Sequence, residues 1–176
     1  MRSGGQNFSF VARKEPMSIK LDEIDLRILQ ELQCDSSRTN VQLAREVGLS
    51  PPACLRRVRR LRKSGVIRGE MAVLDPRLVG PGMTVLVRVE MERDARPLVH
   101  AFRQRVLSEE AVAQCWSVTG SDDFVLLVQV PDVAAYEAVA GRLLATDLNV
   151  KRYESLVVLE EVKRDLGVPL ARTRTA

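Results

Sequence analysis

The stretch from Gly48 to Gly65 constrains the fold more than any other part of the chain. Gly48 ends one helix, Ser50 is a good N-cap, and Pro51 suits a first helical position, where its missing N–H costs nothing. The helix that follows runs to about Ser64, and Gly65 stops it. Leu55, Val58 and Leu61 recur at helical spacing and bury one face. Arg56, Arg57, Arg59, Arg60, Arg62 and Lys63 then place six cations in eight positions on the other face and its flanks, with no acidic residue between Glu46 and Glu70. A solvated basic face is the ordinary reading of such a run. A rigid rod that fits the major groove, with guanidinium forks for guanine edges and phosphates, is the functional one.

The residues upstream favour the second reading. A first helix is expected from about Glu23 to Gln33, with Asp22 as N-cap, a Leu21–Leu26 staple across it, and an apolar stripe of Ile24, Ile28, Leu29 and Leu32. A second follows Thr39, whose spacing to Gln42 is that of a capping box, with Val41, Leu43, Ala44 and Val47 inward. Three short helices with a tight glycine turn before the last make a helix-turn-helix. Val66 to Leu74 reads as a short hairpin, the wing of a winged variant. Asp75-Pro76 closes it, and Gly80-Pro81-Gly82 reads as a hinge. The candidate DNA-facing residues are Asn40, Gln42, Ser50, Pro51, Pro52, Arg56, Arg57, Arg59, Arg60 and Lys63, those near the helix start lying nearest the bases.

Charge divides the chain in the same place. Residues 1–75 carry fourteen Lys and Arg against nine Asp and Glu, while residues 76–176 carry thirteen against fourteen. A polyanionic partner therefore belongs to the first half only. In the second half, Thr84–Glu92 is strand-like with Val85, Val87 and Val89 on one face, and Ala95–Leu107 is helical with Leu98, Phe102, Val106 and Leu107 inward. Val112–Thr119 and Phe124–Val130 are strands about a Gly120–Asp123 turn. A helix from Pro131-Asp132 to about Ala145 precedes a last strand reaching Val162. The order β-α-β-β-α-β is the split βαβ pattern of a ferredoxin-like domain, which leaves one sheet face to pair with a second copy or a ligand. The fold class expected is α+β: a flexible tail over residues 1–20, a winged helix-turn-helix with hinge over 21–82, a sensing and assembly domain over 83–165, and a C-terminal tail over 166–176.

Leu21-Asp22-Glu23-Ile24-Asp25, Asn40-Val41-Gln42-Leu43-Ala44, Val47-Gly48-Leu49-Ser50-Pro51 and Cys54-Leu55-Arg56-Arg57-Val58-Arg59-Arg60-Leu61 resemble the leucine-responsive/asparagine-responsive (Lrp/AsnC) regulators. The likeness continues in Val118-Thr119-Gly120-Ser121-Asp122-Asp123-Phe124, Val130-Pro131-Asp132 and Val157-Val158-Leu159-Glu160-Glu161-Val162-Lys163, covering roughly residues 20–165 in order. The resemblance implies a regulator of amino-acid metabolism that binds a double-stranded DNA operator, dimerises through its sheet domain, often assembles into octamers, and responds to a small amino-acid effector. It implies that Gly120, Ser121, Asp122 and Asp123 form the effector turn at a neighbouring subunit, with Val118, Val133, Leu156 and Val158 as an apolar wall. Asp122 departs from the aromatic or apolar residue often found in relatives. Taken alone, Gly-Ser-Asp-Asp is also an ordinary hairpin turn.

Other classes find less support. No run of apolar residues is long enough to span a membrane, and Met1–Met17 lacks a signal-peptide core, so a cytoplasmic, nucleoid-associated protein is expected. Cys34, Cys54 and Cys115 form no CxxC pair and read as buried, inert thiols. With His100 as the sole histidine, no metal motif appears and no cofactor is expected. No nucleophile–base pair or phosphate loop is visible, so no enzyme is expected. An architectural DNA organiser without effector is the remaining alternative.

Overall fold

Helix α1 (Glu23–Cys34) begins where Asp22 and Asp25 cap one another: the Asp25 amide donates to the Asp22 carboxylate at 2.8 Å, and the Asp22 amide returns to the Asp25 carboxylate at 3.1 Å. Helix α2 (Asn40–Glu46) starts on the expected Thr39–Gln42 box, and α3 (Pro51–Lys63) starts on Ser50, whose hydroxyl makes no capping bond. Gly48 and Gly65 adopt φ of 70° and 78°, the left-handed conformation that ends a helix at low cost only for glycine. Ile28, Leu43, Ala44, Val47, Cys54, Val58 and Leu61 form the shared core of the three helices. The computed structural model describes residues 19–80 and 82–170. The tail assigned to the first residues and Pro81 of the expected hinge thus fall wholly or largely outside the described residues.

The expected wing is absent: residues 66–75 form no paired strands. The Ile67 amide bonds back to the Leu61 carbonyl, and Arg62 pairs with Glu70 at 2.6 Å, so the first half of the would-be hairpin finishes α3 instead. A two-stranded ribbon with nothing to lie on is marginal. Met71, Val73 and Leu74 are left exposed, and a four-residue helix α4 (Pro76–Val79) follows.

The second half folds as read, into one antiparallel sheet of order β2-β3-β1-β4. Its strands are β1 (Met83–Met91), β2 (Val112–Ser117), β3 (Phe124–Val130) and β4 (Val150–Val157), with helices α5 (Arg96–Ser108) and α6 (Val133–Ala140) between them. A π-type turn, Gly141–Ala145, extends α6. Strand alternation sets the core: Val85, Val87, Val89, Phe124, Leu126, Val128 and Val130 point to one face, onto Phe102, Val106, Val139, Leu143 and Leu144. The Phe102 and Phe124 rings meet at 5.0 Å. Leu98 and Leu107, expected inward, are exposed, because α5 contributes one narrow row centred on Phe102 and Val106. The last strand ends at Val157, short of Val162. Buried Asn149 brackets Arg93, accepting from its amide and donating to its carbonyl, and so joins the end of β1 to the start of β4.

The described residues divide into two compact units, one of residues 19–72 together with 164–170, the other within Val73–Lys163. Of the residues expected to form a C-terminal tail, the described ones, up to Leu170, belong to the DNA-binding unit. The Gln33 side chain donates to the Val168 carbonyl at 3.2 Å and accepts from its amide at 2.5 Å, and Leu170 packs on the three-helix core. Replacing Gln33 with alanine removes both bonds and is expected to lower unfolding stability by about 1 kcal/mol, read by urea denaturation.

Candidate nucleic-acid interface and effector turn

The cations of α3 fall into three groups. Arg57 lies on the flank toward α1, where its Nη1 donates to both oxygens of Asp22, at 2.9 and 2.7 Å, and to Oδ1 of Asp25 at 2.9 Å. Arg60 donates to Oδ2 of the same Asp25, which is fully buried. Arg62, on the opposite flank, is held by Glu70. Arg56, Arg59 and Lys63 recur at three- and four-residue spacing opposite buried Cys54, Val58 and Leu61, are exposed, and have no acidic partner among the described residues. The Arg57 guanidinium holds the Asp22 carboxyl below the usual carboxylate range, and the carboxylate in turn raises Arg57. A lowered folded-state carboxyl stabilises the fold above its ordinary value, and that contribution fades as pH falls through the lowered one.

This geometry redistributes the sequence-based candidates. Ser50, Pro51 and Pro52 stand exposed at the start of α3, beside the outward stripe. Asn40 and Gln42 brace the motif: the Asn40 amide donates to the Pro51 carbonyl at 2.8 Å, and Gln42 Oε1 accepts from Thr39. Arg57, expected to face DNA, is engaged in the fold, and Arg60 shares its Asp25 partner. Sequence reasoning misses Asp25, although its three-residue spacing from Asp22 is the signal of a reciprocal cap.

The Gly120–Asp123 turn is built from the strands upward. Gly120 takes φ of 126°, with nothing within 4 Å of where a Cβ would stand. The Val118 amide donates to the Asp123 carbonyl, the Asp123 amide to Val89, and the Asp123 carboxylate accepts from the Met91 amide at 2.7 Å. Asp122 accepts twice from Arg88, at 2.9 and 2.7 Å, and once from the Ser121 hydroxyl, while Arg88 also reaches Glu154. The Asp122 carboxylate raises Arg88 above its ordinary value.

The expected wall does not join this turn within one chain. The turn adjoins the Val89–Met91 end of β1, whereas Leu156 pairs with Leu86, the Val158 amide bonds Thr84, and Val133 opens α6 just after β3 ends at Val130. Val89 and Thr84 are five residues apart, roughly 17 Å along a strand. Of the four wall residues, Val118 alone stands beside the turn.

The sheet face away from the helices is largely apolar and uncovered. Cross-strand register places Leu86, Leu127, Val125, Trp116 and Leu156 there, around the Arg88–Asp122–Glu154 ion group. Of the three thiols only Cys54 is buried, which corrects the reading of all three as buried. Cys34 and Cys115 are exposed, although desolvation of the Cys115 sulfur pushes its thiol up to about 11. Among the described residues no helix is long and apolar enough to cross a membrane, and no cluster of three potential metal ligands occurs.

Comparison with known proteins agrees with both halves. A winged helix-turn-helix DNA-binding model matches residues 21–68, and the Lrp/AsnC ligand binding domain matches residues 84–168. The leucine-responsive regulatory protein of Klebsiella pneumoniae is 40% identical over 82% of this chain and 88% of its own. A transcriptional regulator from Neisseria meningitidis, solved with L-methionine, is 33% identical with a TM-score of 0.79 over 85% of this chain and 97% of its own. An AsnC family regulator from Agrobacterium tumefaciens, also 33% identical over 85% and 97%, gives 0.78. These relatives are regulators rather than enzymes, and the chain belongs with them: it is a DNA-binding transcriptional regulator of the Lrp/AsnC family, with a ligand-binding domain behind its helix-turn-helix.

Proposed function

We propose that this regulator controls genes of amino-acid metabolism, binding a pseudo-palindromic operator as a dimer or larger assembly and responding to a small apolar amino acid. The observation that carries the DNA-reading face is the stripe of Arg56, Arg59 and Lys63, without acidic partners among the described residues and continuous with exposed Ser50, Pro51 and Pro52. The helix start lies nearest the bases, and Arg59 and Lys63 meet phosphates. Arg57 drops out of that face, and Asn40 and Gln42 serve it by bracing the turn.

The effector is held between subunits. Gly120–Asp123 of one subunit faces Val133 and Val158 of another, a division that the roughly 17 Å separation within one chain favours. Relatives named for leucine, and one solved with methionine, support an apolar amino acid. One oxygen each of Asp122 and Asp123 is already engaged by the fold, so the remaining carboxylate oxygens and the turn's exposed amides are what a zwitterion meets.

The test is operator binding titrated with each of the twenty amino acids, on wild type and Val133→Glu. Val133 is 60% exposed, so the substitution spares the core. At least one apolar amino acid is expected to change operator affinity, and the variant to lose that response while binding DNA equally well. A response retained by the variant would remove Val133 from the wall. Indifference of the wild type to every amino acid would leave an architectural DNA organiser. Linkage requires operator DNA to shift amino-acid affinity by the same factor.

A further inference from the structure

We infer that Asp25 limits the sequence-independent DNA affinity of this protein, and its salt dependence, by withholding two arginines of the recognition helix from the DNA backbone. Each oxygen of its fully buried carboxylate takes one guanidinium, Oδ1 from Arg57 and Oδ2 from Arg60, with the Asp22 amide completing the shell. Arg57 is further fixed by Asp22. Arg60 has no other acidic partner among the described residues and keeps 47% of its side chain in solvent.

The position of Arg60 is what makes this consequential. It stands one turn beyond Arg56, at the edge of the outward stripe nearer α1, within reach of the groove wall that Arg56 and Lys63 face. A freed guanidinium there contacts phosphate whatever the sequence, and every phosphate contact strengthens binding to all DNA alike. A cation removed from the backbone therefore lowers affinity for all DNA and flattens its salt dependence, while the ratio of operator to bulk binding is unchanged. Asp25 is thus a positioning residue: it touches no DNA and acts through Arg57 and Arg60. The pairing also relieves crowding among like charges three and four residues apart on α3.

The experiment measures affinity for operator and for unrelated duplex against salt, on the full chain. Asp25→Asn is expected to bind unrelated duplex several-fold more tightly near 0.1 M salt, and to steepen the salt slope by about one for each arginine freed. Operator affinity rises by a similar factor, so operator preference is unchanged. Adding Arg60→Gln and Arg57→Gln to Asp25→Asn restores the wild-type slope, a reversal that a merely structural role would not produce. Arg60→Gln alone, with Asp25 intact, leaves the slope unchanged. If that single variant instead flattens the slope by about 0.9, Arg60 already touches phosphate and the inference falls. An unaltered slope in folded Asp25→Asn overturns it equally. Circular dichroism reports whether Asp25→Asn folds. If it does not, the single Arg57→Gln and Arg60→Gln variants decide alone, since either one flattening the slope refutes the withholding of that arginine and two unchanged slopes uphold it.

Discussion

Replacing Arg56, Arg59 and Lys63 together with alanine is expected to abolish operator binding at physiological salt while leaving the fold intact. None of the three makes an ion pair among the described residues, and all three are exposed on the face of α3 away from the core. Their removal disturbs no packing, and alanine is a better helix former than either arginine or lysine, so stability holds or rises. A good bidentate base contact is worth about 1–3 kcal/mol, and the phosphate contacts of Arg59 and Lys63 are lost with it in each head. In the proposed dimer both heads are disabled. The slope of affinity against salt should fall by about 0.9 for each phosphate that is no longer neutralised. Fluorescence anisotropy with labelled operator measures both quantities. Retained operator affinity in a folded triple variant would move the DNA-reading face off this stripe.

The helix-turn-helix was legible because its instructions are local. The Thr39–Gln42 box, the left-handed glycines at 48 and 65, and the apolar recurrence of Val58 and Leu61 each act within one or two turns. Sheet alternation in β1 and β3 was equally plain, since core and open positions follow a period of two. What stayed hidden depends on partners distant in sequence. Asp25 meets Arg60 thirty-five residues on, and Gln33 meets Val168 after 135. No periodicity records such pairs, so Arg57 reads as one more DNA contact and the C-terminal segment as a tail. The wing failed for a related reason: the backbone of Ile67 and the side chain of Glu70 are drawn to α3, leaving too little for a ribbon. The residues proposed to meet an effector were legible as motif positions, but where each stands on the sheet follows from strand register, which motifs do not record.

Leu127→Asp is expected to convert the protein to monomers. Leu127 lies on the open sheet face, directly paired with Leu86 in β1, which in turn pairs with Leu156 in β4. With Trp116 paired to Val125, these side chains make an apolar surface across all four strands, crossed by one ion group in which Arg88 pairs with both Asp122 and Glu154. The face is self-complementary in character, apolar against apolar, as a two-fold interface requires. Sheets pack face to face about 10 Å apart, so a carboxylate at this position would be buried in both halves of such an interface without a cation of its own. An unpaired buried charge costs several kcal/mol, and two-fold symmetry imposes that cost twice. The isolated subunit should tolerate the change, because Leu127 faces away from the Phe102 core and is only partly buried there. Sedimentation equilibrium should return twice the subunit mass or more for wild type, and the subunit mass for the variant. Operator affinity should fall with it, because a monomer reads one half-site without the linked second. A wild type that sediments as a monomer would rule out the open face as a stable dimer interface, and a Leu127→Asp variant that stays dimeric would place the interface elsewhere.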